Sequence, residues 1–202
     1  MTPPPPPPPH APPPPPVQLM EESAAPPGSA FALAEELRTT WRTNHRINLR
    51  LLADIRDEGF EDTLSTRGGR GVAGEFAHMH DNRCQQLTKR APDLAEDLAF
   101  FSGKYSTRPK DAPPPSRDEL IAAHEASAAA VETFLVEALH SPPKLPRGAP
   151  RRRAFKRGIV TTLTYLVAHD AHHRGRILLT LKASGHALDK KTQTAIWGWD
   201  KI

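Results

Sequence analysis

The sequence predicts an all-α protein, an antiparallel four-helix bundle preceded by a disordered, proline-rich tail. Four long segments repeat apolar residues at helical intervals, whereas no segment of useful length alternates as a strand does. The first 30 residues hold 14 of the 23 prolines and show neither pattern, which is typical of disordered chain with polyproline II character. We therefore expect a tail over residues 1–30, with Met20 as an alternative start, and one bundle domain over residues 31–202.

The first two helices are predicted over residues 31–57 and 72–89. The first should end near Gly59, and the second is followed by a connection with a short helical turn within residues 94–101. The inward face of the first helix combines aliphatic, aromatic and amide side chains: Leu33, Leu37, Trp41, Asn44, Asn48, Leu51, Leu52 and Ile55.

The third and fourth helices are predicted over residues 120–139 and 157–184. Ser116 and Glu119 have the spacing of a capping box before the third helix, and Gly185 is placed to end the fourth. The closing segment is expected to pack three residues on the bundle, namely Ile196, Trp197 and Trp199.

Charge and composition argue against several classes of protein. Much of the excess behind the net charge of +4 lies in residues 144–157, but aromatic residues do not alternate with these charges. We interpret the stretch as a solvated loop and do not expect nucleic acid as a partner. A signal-peptide pattern and a long apolar run are both missing from the sequence, and the single cysteine, Cys84, cannot form an internal disulfide. We expect a cytoplasmic protein with no membrane partner.

The fourth predicted helix carries two imidazoles on its apolar face. His169 and His173 interrupt a stripe that comprises Ile159, Leu163, Leu166, Ile177 and Leu181. Residues four apart on a helix have Cβ atoms about 6 Å apart, so both rings can turn toward one cation. Two buried neutral histidines with hydrogen bonds are the alternative, but two adjacent rings that must both stay uncharged favour a metal. His172 lies toward the edge of the stripe.

A metal centre that keeps an open position needs a third protein ligand. The second predicted helix offers His78 and His80, and its apolar stripe of Val72, Phe76, Met79 and Leu87 places His80 more centrally. His45 and His124 are further candidates, which we interpret as surface or outer-sphere histidines.

Two segments carry a resemblance to a known family. The stretch "LVAHDAHHRGRI" resembles the signature of the DinB/YfiT-like superfamily, and "GVAGEFAHMHDNR" is similar to its second-helix motif. The ending "IWGWDKI" also resembles one branch of that family, so the likeness covers residues 31–202. It implies a four-helix bundle whose metal ligands are His78, His169 and His173, with His80 as the alternative to His78.

The resemblance also implies a chemistry. Members include metal-dependent transferases or isomerases that use low-molecular-weight thiols, many members are dimers, and the family name refers to induction by DNA damage. Three neutral imidazoles suit zinc or nickel. The leading hypothesis is a metal-dependent enzyme of transferase, isomerase or hydrolase type that acts on a small molecule. The alternative is a non-catalytic metal-binding stress protein or a partner-binding module.

Three charged residues near the histidine pair are weaker candidates. Asp170 is placed to orient His169 or to accept a proton, or equally to pair with Arg174 on the helix surface. Arg174 and Arg176 are candidates to hold a carboxylate-bearing substrate or cofactor, although we expect both to face solvent.

Overall fold

A computed structural model describes residues 28–64, 69–109, 111–141 and 152–199. Within these ranges the chain forms helices and no strand, which confirms the all-α prediction. The α-helices are α1 (Gly28–Asp54), α2 (Asp57–Phe60), α3 (Gly71–Arg90), α4 (Arg117–His140), α5 (Ile159–Ala183) and α6 (Lys190–Ala195). Two short 3-10 helices, Pro92–Ala95 and Gly103–Tyr105, lie in the connection between α3 and α4. The predicted tail lies outside the described residues, except that residues 28–30 already belong to α1.

The ends of the long helices follow from local signals in the sequence. The hydroxyl of Ser116 accepts from the Glu119 amide at 3.2 Å, and the Glu119 carboxylate accepts from the Ser116 amide at 2.6 Å, so the predicted capping box is confirmed. Gly185 has a φ of +85°, a conformation that favours glycine, and the amide of His186 donates to Leu181 O across it at 2.8 Å. No helix of the described ranges is long and apolar enough to cross a membrane.

Neighbouring helices of the bundle run in both relative directions. α1 is antiparallel to α4, because Trp41 donates to Ala128 O at 2.9 Å while Arg117 donates to Leu52 O. α3 is antiparallel to α5, because Glu75 contacts His173 whereas Asn82 contacts Tyr165. By contrast, α3 runs parallel to α4, with Phe76 on His124 and Arg83 near Ser127.

The connection over residues 91–116 explains this arrangement. A short loop would return α4 antiparallel to α3, whereas this long connection carries the chain back to the end of the bundle at which α3 began. In the four-helix bundle, α1 and α4 are therefore antiparallel, as are α3 and α5, whereas the neighbours α3 and α4, and likewise α1 and α5, are parallel.

The interior of the bundle contains two apolar clusters. One lies toward the start of α1 and includes Leu37, Trp41, Leu87, Phe134, Leu163 and Leu166. The other lies toward the end of α1 and includes Leu51, Leu52, Phe76, Met79, Ile177 and Leu181. Most of the residues predicted to face inward from α1 and α5 belong to these clusters, because helical periodicity alone identifies a buried face.

A buried polar layer separates the two clusters. Oδ2 of Asp170 accepts from Arg83 at 2.7 Å and from the side-chain amides of Asn44 and Asn48, each at 2.8 Å. The oxygens of the same two amides accept from Arg174, at 2.8 and 2.7 Å. All five residues are buried, so these hydrogen bonds replace hydrogen bonds to water.

Arg83 extends the polar layer to α4. Its guanidinium lies 5.0 Å from the ring centroid of Trp41, and it donates a long hydrogen bond of 3.4 Å to His124 O. The layer thus connects α1, α3, α4 and α5 at one level of the bundle.

The packing predicted for the closing segment is only partly correct. Ile196 is buried, but Trp197 is 75% exposed and Trp199 also lies at the surface. The reason is that α6 is only six residues long, and the turn that follows it directs Trp197 away from the bundle.

We predict that Asp170→Ala lowers the free energy of unfolding by about 3–5 kcal/mol, because the substitution leaves a buried guanidinium without its counter-charge. Urea denaturation in the presence of a chelator measures this effect apart from any metal. Asp54→Ala removes an exposed ion pair with Arg50 and should cost less than about 1 kcal/mol. Equal losses in the two variants would contradict a structural role for the layer.

Candidate metal centre

Three imidazoles meet where α3 packs against α5. Each of His78, His169 and His173 offers one ring nitrogen, and these nitrogens lie within 4.8 Å of one another. The ring centroids of His169 and His173 are 4.4 Å apart, and that of His78 lies 5.2 Å from the first and 4.6 Å from the second. These separations are short enough for all three nitrogens to reach one ion after small rotations of the rings.

The two helices place these rings by simple geometry. His169 and His173 are one turn apart on α5, and α3 crosses them antiparallel, so that a single residue of α3 stands opposite both. His173 is buried, whereas His78 and His169 are partly exposed. The cluster therefore lies at the margin of the bundle, with one side toward the core and one toward solvent.

Glu75 fixes the orientation of His173. Its Oε2 lies 2.6 Å from Nδ1 of His173, and its Oε1 accepts from Arg176 at 2.9 Å. The carboxylate is only 3% exposed, so this contact is not exchanged with water. A proton on Nδ1 donated to Glu75 leaves Nε2 as the free lone pair, which is the arrangement that holds metal-ligating histidines in many proteins.

The electrostatic surroundings favour the neutral form of His78 and of His173. Burial, followed by the charge of Arg70, lowers the pKa of His78 to about 4. Burial also lowers the pKa of His173, against the opposing effect of its hydrogen bond with Glu75. Neutral rings at physiological pH are the form that binds a metal ion.

His169 supplies an independent indication. Its Nδ1 is buried and has no hydrogen-bond partner, and the nearest carboxylate oxygen, Oδ1 of Asp170, is 3.9 Å away. A buried nitrogen without a partner is costly, and a bound cation at this cluster or a change of tautomer would relieve that cost. The donor set and this unpartnered nitrogen both fit a metal ion held by the three rings.

His80 faces another part of the molecule. Its ring lies between two backbone carbonyls, 2.8 Å from Ala99 O and 3.0 Å from Ala123 O, and next to the thiol of Cys84. The apolar stripe correctly identifies His80 as the more buried of the two histidines, since it is 1% exposed. The stripe does not indicate which neighbouring helix a buried residue of α3 faces, however, because α3 packs against both α4 and α5.

The other histidines lie outside the cluster. His172 is exposed, and its ring touches only the edge of His173, with centroids 5.0 Å apart. His124 is fully buried and lies 2.9 Å from Phe76 O, so the first of the two alternatives given for it, a surface position, is wrong. His45 is partly buried, and burial lowers its pKa to about 4.

Two of the charged candidates have structural contacts that the sequence did not predict. Asp170 does not pair with Arg174 on the surface. It is buried, and despite that burial the guanidinium of Arg83 holds its pKa well below the usual range, so it stays ionised. Arg174 does not face solvent either, since it is 8% exposed and donates to Asn44 and Asn48. The surface pairing of Asp170 and the exposed position of Arg174 are both wrong, because the actual partners lie 87 to 130 residues away in the chain. A role of Asp170 toward His169 stays a prediction.

Arg176 and Glu75 form an ion pair beside the cluster. Arg176 faces solvent as expected, with half of its side chain exposed, while its guanidinium reaches Glu75. Glu75 was not recognised from the sequence. It precedes His78 by three residues, so a search for a carboxylate within one turn of each candidate ligand would have found it.

The geometry agrees with a comparison against known families. A model of the DinB family matches residues 28–194, which is most of the chain and includes all three histidines. No curated protein and no solved structure gives a significant match. The family match confirms the resemblance carried by the two histidine motifs. The chain belongs to the DinB family.

Proposed function

We propose that His78, His169 and His173 bind one divalent metal ion and that this ion is the centre of an enzymatic site. The observation that carries the proposal is the approach of three ring nitrogens within 4.8 Å, beside a buried carboxylate that orients one of them. The unpartnered Nδ1 of His169 supports it independently. Zinc and nickel suit a site of three neutral imidazoles best.

The number of donors favours catalysis over a purely structural metal. Among the described residues this group holds three His, Cys, Asp or Glu donors, and a structural zinc site uses four. Three protein ligands leave room for water or for a substrate atom. A metal of this kind lowers the pKa of bound water and binds thiolates, so we propose a transferase or isomerase that takes a low-molecular-weight thiol.

Side chains of the protein would position a substrate at this centre. Arg176 forms an ion pair with Glu75, and half of its side chain is exposed at the rim. An anionic group of a substrate can therefore contact Arg176 without becoming buried. Tyr165 borders the other side. Its hydroxyl donates to Asn82 at 3.1 Å, and its ring centroid is 6.0 Å from that of His169, so it limits the approach along α5.

We predict that His78→Ala, His169→Ala and His173→Ala each abolish stoichiometric zinc binding, because two imidazoles do not hold the ion against dialysis. Elemental analysis after dialysis against a weak chelator measures the metal content. His80→Ala and His172→Ala are the matched controls and should retain about one ion per chain. Loss of metal in His80→Ala with a native fold, or its retention in His78→Ala, would contradict the assignment.

We predict that Glu75→Gln weakens zinc affinity by about 10–100-fold, since the neutral amide no longer polarises the His173 ring. Competition with a chromophoric chelator gives the dissociation constant. Glu125→Gln removes an exposed carboxylate of α4 and should leave the affinity unchanged. Equal affinities for the two variants would show that Glu75 does not act on the metal.

We predict that the cobalt-substituted protein develops a sulfur-to-cobalt charge-transfer band in the near ultraviolet when 2-mercaptoethanol is added. The band requires an open position at the metal, which three protein ligands leave. Cobalt mixed with His78→Ala protein controls for binding elsewhere. A spectrum unchanged by saturating thiol would refute the thiol chemistry, and together with a four-coordinate spectrum it would favour a structural metal.

A further inference from the structure

A second concave site lies at the opposite end of α3, where the chain enters α5. The cavity has a volume of about 710 Å³. Its walls are formed by the end of α3, the segment before α5 and the first turn of α5: Lys89, Arg90, Arg153, Ala154, Phe155, Lys156, Arg157 and Thr161. Five of these eight residues are basic and none is acidic, so the cavity concentrates positive charge.

Carboxylates of the described residues do not neutralise this charge. None lies within 4.0 Å of the charged nitrogens of the five basic residues. The nearby acids bind Arg152 instead, which contacts Asp93 at 2.7 Å and also Glu137. The first turn of α5 adds to the positive field, because it has no acidic residue and Gly158 has no side chain to cap its amides.

The walls of the cavity are fixed by contacts that do not involve a carboxylate. Arg90 donates to the carbonyls of Arg153 and Ala154 at 3.2 and 3.4 Å, and its guanidinium covers the ring of Phe155 at 4.1 Å. The amide of Arg153 donates to Arg90 O at 3.0 Å, and the amide of Phe155 donates to the Thr162 hydroxyl at 2.9 Å. The segment before α5 is therefore fixed to both helices.

Four of the five basic side chains project toward solvent, one from the end of α3 and three from the segment before α5. Lys89, Arg153, Lys156 and Arg157 are all exposed, so their charges are available to a ligand. The prediction of a solvated loop is thus confirmed for residues 152–157, although hydrogen bonds fix the backbone of this segment, whereas residues 144–151 lie outside the described part of the chain.

The aromatic ring in the cavity does not offer a stacking surface. Arg90 covers Phe155, and the ring of Tyr165 lies 5.2 Å from it at an angle of 50°. Recognition of a nucleobase by stacking needs a free ring face, so the cavity is suited to charge rather than to bases. Arginine, lysine and a helix start together are the groups that bind phosphate.

We propose that this cavity binds a small ligand that carries two or more phosphate groups. Five basic side chains without a carboxylate partner match a polyanion better than a single monoanion, and the volume is in the range of sites that bind small molecules. The site involves none of the three clustered histidines, so it does not depend on a metal.

Calorimetric titration of the full chain with tripolyphosphate tests the proposal. Metal-free buffer of fixed ionic strength prevents chelation from contributing. Wild-type protein should show saturable one-to-one binding that weakens as salt is added. The double variant Lys156→Gln and Arg157→Gln should bind at least about tenfold more weakly, because it removes two exposed charge-assisted contacts.

The matched control removes two exposed charges elsewhere. The double variant Lys182→Gln and Lys190→Gln has the same net charge, and its affinity should stay within about twofold of wild type. Equal weakening in both double variants would show that the attraction is diffuse, and absence of saturable binding would also overturn the proposal. Equally tight binding of citrate would refute the preference for phosphate. Displacement of tripolyphosphate by duplex DNA at lower concentration would identify a nucleic-acid surface instead.

Discussion

The rest of the structure depends on the buried carboxylate of Asp170. One of its oxygens receives hydrogen bonds from Arg83 on α3 and from Asn44 and Asn48 on α1. These contacts fix how far α5 is rotated about its own axis. His169 and His173 lie on the same helix, on either side of Asp170 in sequence, so this rotation also directs both rings toward α3. A buried ion pair adds little net stability, but it strongly disfavours other arrangements in which its charges would be unpaired.

The charges around the candidate metal centre form two separate groups. Asp170 pairs with Arg83 inside the bundle and is linked to Arg174 through Asn44 and Asn48, whereas the buried Glu75 pairs with His173 and with the half-exposed Arg176. Glu75 lies 2.6 Å from His173, so its negative charge would act on a dication held by the three rings. Glu75 is consequently more than a hydrogen-bond partner for His173, since it also brings a negative charge close to the cluster.

The sequence was informative where a property repeats along one helix. The four long helices, their buried stripes and the paired histidines of α5 could all be predicted, because helical periodicity depends only on neighbouring residues. Periodicity could not choose between His78 and His80, since α3 buries two faces and each histidine belongs to a different one. The family motif did indicate His78. The partners of Asp170 and Arg174 could not be predicted, because they lie in other helices and no local pattern encodes those contacts.

The division of the interior into two apolar clusters and one polar layer affects how the sequence can change over evolutionary time. Within a cluster, one aliphatic side chain can replace another of similar volume at small cost, so substitutions there can accumulate one at a time. Within the layer, hydrogen bonds join side chains on different helices, and a single replacement leaves the partner buried and unsatisfied. Divergent relatives of this chain should therefore vary freely at both ends of the bundle, whereas the layer should change only by coordinated replacements, if it changes at all.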